Sequence, residues 1–114
     1  PREIAIANQE NSIYVADTGG NKAGAIIAID LATGNRTIIL DLARAESQLL
    51  ADIIVDDNEQ HLYVLFEQAL IKIDLATKVR TTISNNYIGG GEVISRLSGA
   101  TLDSENNSML VTDI

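Results

Sequence analysis

Three stretches of this chain have nearly the same sequence at nearly regular spacing. Residues 13–17 (IYVAD) recur as 62–66 (LYVLF) and again as 109–113 (MLVTD), at offsets of 49 and then 47 residues. Residues 29–33 (IDLAT) return without change at 73–77, 44 residues later. A repeat of this length built from short strands is typical of propeller arrays, in which each repeat buries its faces against its neighbours.

Short alternating apolar runs separated by turn residues divide each repeat into strands. The strands predicted for the three repeats are 4–7, 12–17, 25–30 and 36–40, then 53–55, 61–66, 70–74 and 80–83, then 100–102 and 108–113. Gly34 and Asn35 supply hairpin turn chemistry between the third and fourth strands of the first repeat. Lys78 replaces Gly34 in the second repeat, which predicts a different turn type there.

These elements predict an all-β fold, a β-propeller fragment of about two and a half four-stranded antiparallel blades in a single partial propeller over 1–114. Its parts are a first blade at 1–40, an inter-blade loop at 41–50, a second blade at 51–84, an inter-blade loop at 85–97 and a half blade at 98–114. The leucines at 42, 49 and 50 predict a short helical turn in the first of these loops.

Composition excludes several classes of function. The chain has 16 acidic and 8 basic residues and a formal net charge of −8, so nucleic acid is not expected as a partner, because backbone phosphates require clustered Lys and Arg. The absence of Cys excludes disulfides, thiol catalysis and cysteine metal sites. No apolar run approaches the roughly 20 residues that span a bilayer. The acidic surface is interpreted as one that keeps the protein soluble. The more specific alternative is a face that binds cations.

The segments 1–6 (PREIAI), 12–18 (SIYVADT) and 29–34 (IDLATG) together resemble an NHL-type blade. They resemble still more closely the bacterial propeller repeats related to the gluconolactonase and strictosidine-synthase superfamily. The resemblance implies a closed propeller, most often six-bladed, which would need about 280 residues at this repeat length. It also implies an exported protein, periplasmic or extracellular. Because the chain starts at Pro1 without Met, we expect its start to have been removed by processing or by design.

Antiparallel strand order places every long connection at one end of the blades. The connections at 18–24, 41–50 and 85–97 share this end, and only tight turns lie at the other. We name the two ends the long-loop end and the short-turn end. Because binding residues concentrate on long loops carried by a rigid scaffold, the candidate binding residues are those of the long-loop end: Thr18, Asn21, Glu46, Asn86 and Gly90.

Glu3 and Asp52 occupy equivalent positions at the entrance of the innermost strands, where Gly99 stands in the third repeat. Two carboxylates beside a central channel can hold a hard cation through oxygen ligands. The resemblance to gluconolactonase-like enzymes, which hold a divalent metal near such entrances, implies Ca²⁺ or another divalent metal in the full-length protein. The alternative is a pair of solvated carboxylates at a channel rim.

The remaining polar residues have structural interpretations. Asp17 and Asp113 close the second strands and are expected to accept backbone N–H bonds in the turn, whereas Phe66 at the same position must pack instead. His61 is expected to be inert, because it lies at the short-turn end, away from any nucleophile. The acidic stretches 56–59 and 103–107 lack the spacing of a calcium loop and are interpreted as hairpin turns. The three glycines at 89–91 lack the context of a phosphate loop.

Three hypotheses about function remain open. The first is a non-catalytic scaffold for ligand or protein binding, part of a larger propeller, with no catalytic residue and no cofactor in this segment. The second is a metal-dependent lactonase-like or esterase-like hydrolase whose site is completed by further blades. The third is a module that associates with copies of itself or with the rest of its own propeller, because an open propeller exposes strand edges. It predicts an oligomeric or aggregation-prone chain.

Overall fold

A computed structural model describes residues 3–7, 10–17, 24–41 and 50–113. These residues form ten β-strands and, within the described ranges, no helix. The predicted short helical turn falls at 42–49, outside the described residues. The strands are β1 (Glu3–Ala7), β2 (Ser12–Asp17), β3 (Ala25–Asp30), β4 (Arg36–Asp41), β5 (Leu50–Val55), β6 (His61–Phe66), β7 (Ala69–Asp74), β8 (Arg80–Asn85), β9 (Leu97–Asp103) and β10 (Ser108–Asp113).

The strands form three antiparallel sheets, each in chain order. Strands β1 to β4 make the first sheet, β5 to β8 the second, and β9 with β10 the third. The fold is therefore all-β, a propeller fragment with two four-stranded blades and a half blade, as predicted. We call the sheets blade 1, blade 2 and the half blade. The chain divides into two compact units, 1–47 with blade 1 and 48–114 with blade 2 and the half blade. That all 114 residues form one partial propeller stays a prediction.

The strand register confirms the two ends within each unit. In blade 1, Ala25 at the start of β3 pairs with Asp17 at the end of β2 and with Asp41 at the end of β4. In blade 2, Ala69 at the start of β7 pairs with Phe66 and Asn85, which end β6 and β8. The β2–β3 and β6–β7 connections and the ends of β4 and β8 consequently lie at the long-loop end of their units.

Strand β6 is largely buried. Four of its six side chains are almost completely buried: Leu62, Val64, Leu65 and Phe66. Successive side chains of a strand point to opposite faces, so both faces of β6 are covered. Complete burial of each such side chain stabilises the fold by about 1.5–3 kcal/mol. Phe66 stands where Asp17 and Asp113 end β2 and β10, and its burial confirms that it packs where those positions carry a carboxylate.

The turns after β3 and β7 have the same backbone, although one contains Gly34 and the other Lys78. Their φ angles are 76° and 66°. Each residue donates its N–H to the backbone carbonyl oxygen of the aspartate four positions earlier, at 2.7 Å. Oδ1 of that aspartate, Asp30 or Asp74, also accepts two backbone N–H bonds of 2.8–3.1 Å. The expectation of a different turn type was therefore wrong, because the aspartate dictates the turn and Lys78 adopts the left-handed conformation.

Candidate functional site

The longest described connection at the long-loop end is the loop 86–96 between β8 and β9. It begins with a tight turn around Asn85, whose Oδ1 accepts the N–H groups of Tyr87 at 2.8 Å and Ile88 at 2.6 Å. The N–H of Asn85 in turn donates to the carbonyl of Ile88 at 3.0 Å. An Asn side chain that accepts from the next residues is a favoured way to reverse the chain, so the loop leaves β8 in a defined direction.

Asn86, a predicted binding residue, joins the two arms of this loop. Its Nδ2 donates to the carbonyl of Ile94 at 3.0 Å, and its Oδ1 accepts the N–H of Ile94 at 2.8 Å. The carboxamide thus substitutes for a backbone peptide in a two-bond antiparallel pair. The structure gives Asn86 a positioning role, since both functional groups of its side chain are used within the loop.

The loop encloses a cavity of about 260 Å³. Its lining includes Ser84, both asparagines and the glycines at 89–91. Gly89 has a φ of 89°, and a Cβ there would lie 3.2 Å from Oγ of Ser84, so this position favours glycine on both conformational and steric grounds. Gly90, the other predicted binding residue of this loop, lines the cavity, and a Cβ on it would meet no atom within 4 Å.

Apolar side chains project from the loop into solvent. Tyr87 is 95% exposed and Val93 is 77% exposed, with Ile88 between them in sequence and also exposed. Tyr87 is unusual in this chain, because the other three aromatic residues, Tyr14, Tyr63 and Phe66, are buried or half-buried. Sequence motifs do not identify Tyr87 as an exposed side chain. The one sequence signal for it is its place in the segment 85–91 (NNYIGGG), after two asparagines and before a run of glycines.

The second arm of the loop is fixed to the β6–β7 turn. Leu97 donates its N–H to the carbonyl of Glu67 at 2.8 Å, and Gln68 Nε2 lies 3.3 Å from the carbonyl of Ser95. Arg96 Nε donates to Glu67 Oε1 at 3.2 Å. This ion pair is solvent-exposed and contributes little by itself, but the backbone bond anchors the start of β9.

Asp52, one of the two predicted metal ligands, holds the half blade against blade 2. Its Oδ2 accepts the N–H of Ala100 in β9 at 3.2 Å, and its Oδ1 accepts the N–H of Ile53 at 2.9 Å. Both carboxylate oxygens therefore receive hydrogen bonds from backbone N–H groups. The backbone of Glu3 lies in β1, and its side chain is outside the described residues. Within the described ranges no three His, Asp or Glu side chains are grouped to hold a metal. A metal at Glu3 and Asp52 stays a prediction.

An ionisable pair at the short-turn end of blade 2 is held by several hydrogen bonds. Asp56 Oδ2 lies 2.8 Å from Nδ1 of His61, and Asp56 Oδ1 accepts the N–H groups of Gln60 and His61 at 2.8 and 3.1 Å. Burial acts to raise the pKa of Asp56, but these hydrogen bonds outweigh burial and leave that pKa below its ordinary value. His61 lies at the predicted end of the blade and supports the β5–β6 turn.

The neighbouring hairpin turns of this end contact each other within the second unit. Ser104 Oγ, in the β9–β10 turn, donates a hydrogen bond to Asp57 in the β5–β6 turn. In the same β9–β10 turn, Asp103 Oδ2 accepts Nδ2 of Asn106 at 2.8 Å. These acidic stretches form hairpin turns, as predicted, and these carboxylates bind the protein itself.

The other predicted binding residues, Thr18, Asn21 and Glu46, lie outside the described residues. Of the two strand-closing aspartates, Asp17 pairs with Ala25 in the sheet, whereas the side chain of Asp113 is outside the described set. In the part of the chain that the structure describes, no helix is both long and apolar enough to cross a bilayer.

The functional assignment rests on the geometry described above. No protein-family model and no curated protein sequence matches the chain.

Proposed function

We propose that this chain is a non-catalytic β-propeller scaffold, part of a larger propeller, that binds a partner through its long-loop end. The observation that carries the proposal is the ordered loop 86–96, which presents Tyr87 to solvent at 95% exposure. Aromatic side chains, Tyr and Trp above all, supply much of the energy of protein interfaces. A loop that exposes its aromatic residue while its own backbone is tied down is suited to recognition.

Preorganisation supports this assignment. Ordering a loop on binding costs about 0.5–1.5 kcal/mol for each immobilised side chain and more for free backbone. Here Asn85 and Asn86 already fix both arms through bonds of 2.6–3.0 Å to Tyr87, Ile88 and Ile94. Much of that ordering cost is consequently met in the free protein, and a larger share of the contact energy of Tyr87 would appear as affinity.

The dimensions of the loop favour a protein or peptide partner over a small molecule. The cavity of about 260 Å³ is below the 300–1,000 Å³ that is typical of pockets for drug-sized ligands. The loop also presents three exposed apolar side chains, Tyr87, Ile88 and Val93. Exposed apolar side chains of this size suit contact with apolar groups of a protein or peptide.

A random peptide library displayed on phage and selected against the 114-residue protein tests this proposal. We expect selected peptides to bind the protein and to lose at least tenfold in affinity to the Tyr87→Ala variant. The matched control is Val79→Ala, since Val79 is 61% exposed but lies in the β7–β8 turn at the short-turn end. Peptides that bind Tyr87→Ala as well as the unaltered protein, or that are lost only with Val79→Ala, would contradict the proposal.

A further inference from the structure

Part of the wall of the cavity in the loop 86–96 is bare backbone. The glycines at 89–91 line it, and a Cβ added to Gly90 or to Gly91 would meet no atom within 4 Å. Glycine suits a place where a ligand comes close to the backbone, because it has no side chain in the way. The two hydrogen bonds of the Asn86 side chain, at 2.8 and 3.0 Å, hold the loop closed around this space.

The wall of the cavity carries a negative charge. Among the described residues that line it, only Glu92 is charged, and Glu92 is exposed. The basic residue of the loop, Arg96, donates to Glu67 Oε1 at 3.2 Å. Ser84 Oγ, also in the wall, donates its proton to the carbonyl of Ile88 at 3.3 Å, which leaves its lone pairs to accept a hydrogen bond. The cavity therefore offers acceptors to a cation that has N–H groups.

The volume of the cavity suits a single long side chain. An engineered cavity of about 150 Å³ holds a benzene molecule, and this cavity measures about 260 Å³. Lys and Arg side chains are slender, end in several N–H donors and have no acceptor. Either of them would place only donors opposite the carboxylate of Glu92 and the hydroxyl of Ser84, so no acceptor would face another acceptor.

The total charge of the unit that carries the loop favours the same occupant. Residues 48–114, the second compact unit, contain ten Asp or Glu and four Lys or Arg, which gives a formal net charge of −6. Such a field attracts a basic partner, speeds its association and disfavours an acidic one. A second copy of this chain has a net charge of −8 and is therefore repelled.

Exposed apolar side chains of the same loop favour a polypeptide over a free amine. Tyr87 is 95% exposed, and Val93, which follows Glu92 in sequence, is 77% exposed. A free amine or guanidine would contact the cavity alone. A basic residue within a peptide brings its neighbours with it, and these can cover the apolar side chains of the loop.

We infer that the cavity takes one Lys or Arg side chain of a partner polypeptide, with Glu92 as its counterion. The residues beside that Lys or Arg contact Tyr87 and Val93. This inference rests on the proposed function and names the partner chemistry that the long-loop end recognises.

Four pools of acetylated pentapeptides test the inference. Arg, Lys, norleucine or Glu is fixed at the centre of each pool, and the other positions are randomised over uncharged residues. Surface plasmon resonance measures the apparent affinity of each pool for the 114-residue protein. We expect the Arg and Lys pools to bind at least fivefold more tightly than the norleucine pool, and the Glu pool to bind least. Added salt should reduce this preference, because it arises from the attraction of opposite charges.

Two variants locate the preference in the loop. Glu92→Gln keeps the size of the side chain and removes its charge, so the basic pools should then bind no better than the norleucine pool. The matched control is Glu105→Gln, which changes an exposed carboxylate of the β9–β10 turn. Gly90→Leu adds a side chain within the cavity at a residue whose φ lies outside the left-handed region, so the fold should persist while the basic pools lose at least fivefold in affinity. Ala76→Leu, at an exposed position of the β7–β8 turn, should leave binding unchanged.

The possible results separate this inference from the proposed function. If the basic and norleucine pools bind equally and Tyr87→Ala weakens both, the inference is overturned and the proposed function stands. A preference for basic pools that persists in Glu92→Gln, or tightest binding by the Glu pool, would also overturn it. A preference that Glu92→Gln removes and Tyr87→Ala leaves intact supports the cavity and contradicts the role proposed for Tyr87. Absence of binding by all four pools overturns both.

Discussion

The carboxylate of Asp52 in β5 accepts a hydrogen bond from the backbone N–H of Ala100 in β9, with Oδ2 and N 3.2 Å apart. The bond links two separate sheets, blade 2 and the half blade, through the first strand of each. Because Asp52 Oδ1 also accepts the N–H of Ile53 at 2.9 Å, the side chain is fixed from both sides. The position that is Gly99 in the third repeat thus carries in blade 2 a carboxylate that hydrogen-bonds to the neighbouring sheet.

Replacing Asp52 should weaken the second unit. We expect Asp52→Ala to lower the free energy of unfolding by about 1–2 kcal/mol, because a part-buried N–H loses a charged acceptor. Asp52→Asn should cost less, since its carbonyl oxygen can still accept one of the two bonds. Urea denaturation followed by circular dichroism measures both values. If millimolar Ca²⁺ raises the melting temperature of the unaltered protein but not of Asp52→Ala, Asp52 binds metal instead.

Much of the fold could be predicted because each strand carries its own signal. Alternating apolar residues and flanking turn residues located β2 and β6 at their observed bounds, and the repeat then fixed strand order and the two ends. Asp52 and Lys78 show where this approach stops. The partner of Asp52 lies 48 residues away in another sheet, and the φ of 66° at Lys78 is imposed by Asp74, which residue propensity does not show.

The long-loop end could be predicted in outline only. Strand order alone assigned Asn86 and Gly90 to it, but the role of Asn86 depends on two hydrogen bonds to Ile94. Sequence spacing gives no indication that these residues meet. Tyr87 was missed because an isolated aromatic residue in a chain with few aromatics is most often part of a core, and only the turn around Asn85 directs it outward.

The equivalent positions Gly34 and Lys78 permit a reciprocal exchange. Both are left-handed, a conformation that costs a residue with a Cβ about 1 kcal/mol. We expect Lys78→Gly to raise the free energy of unfolding by about 0.5–1 kcal/mol, less any contribution from the bond of Lys78 Nζ to the carbonyl of Leu75 at 2.7 Å. Gly34→Lys should lower it by about 1 kcal/mol. Thermal melts of the two variants measure both changes in stability. Destabilisation by Lys78→Gly would show that loss of the Nζ bond outweighs the relief of the left-handed backbone.

Acid should weaken the β5–β6 turn through Asp56. Its pKa in the folded protein is below the ordinary value of 3.8, so its ionised form stabilises the fold above about pH 4, and that stabilisation is lost as the pH falls below 3.8. We expect the stability of the unaltered protein to fall between pH 5 and pH 3, and Asp56→Asn to reduce this fall. Urea midpoints at the two pH values give the comparison.

Two further variants distinguish the effect of the Asp56–His61 pair from the general effect of acid on the total charge of the protein. His61→Ala removes the side-chain bond to Asp56, so the pKa of Asp56 measured by NMR should rise. Glu105→Gln changes an exposed carboxylate in the β9–β10 turn and should leave the acid response as it is. An equal loss of pH dependence in Glu105→Gln would mean that total charge, and not the Asp56–His61 pair, controls the response.

Removing the side chain of Asn86 should release the loop without unfolding the sheet. Asn86→Ala deletes both bonds to Ile94, and bonds of this kind contribute about 1 kcal/mol each. Because the loop is exposed and packs little, we expect the melting temperature to change by less than about 2 °C. Backbone hydrogen exchange at 87–94 should accelerate roughly tenfold or more.

Asn106→Ala, at the short-turn end, is the control and should leave exchange at 87–94 unchanged. If Asn86→Ala instead lowers the melting temperature strongly, the loop is part of the cooperative core, and its bonds stabilise β8 and β9 directly.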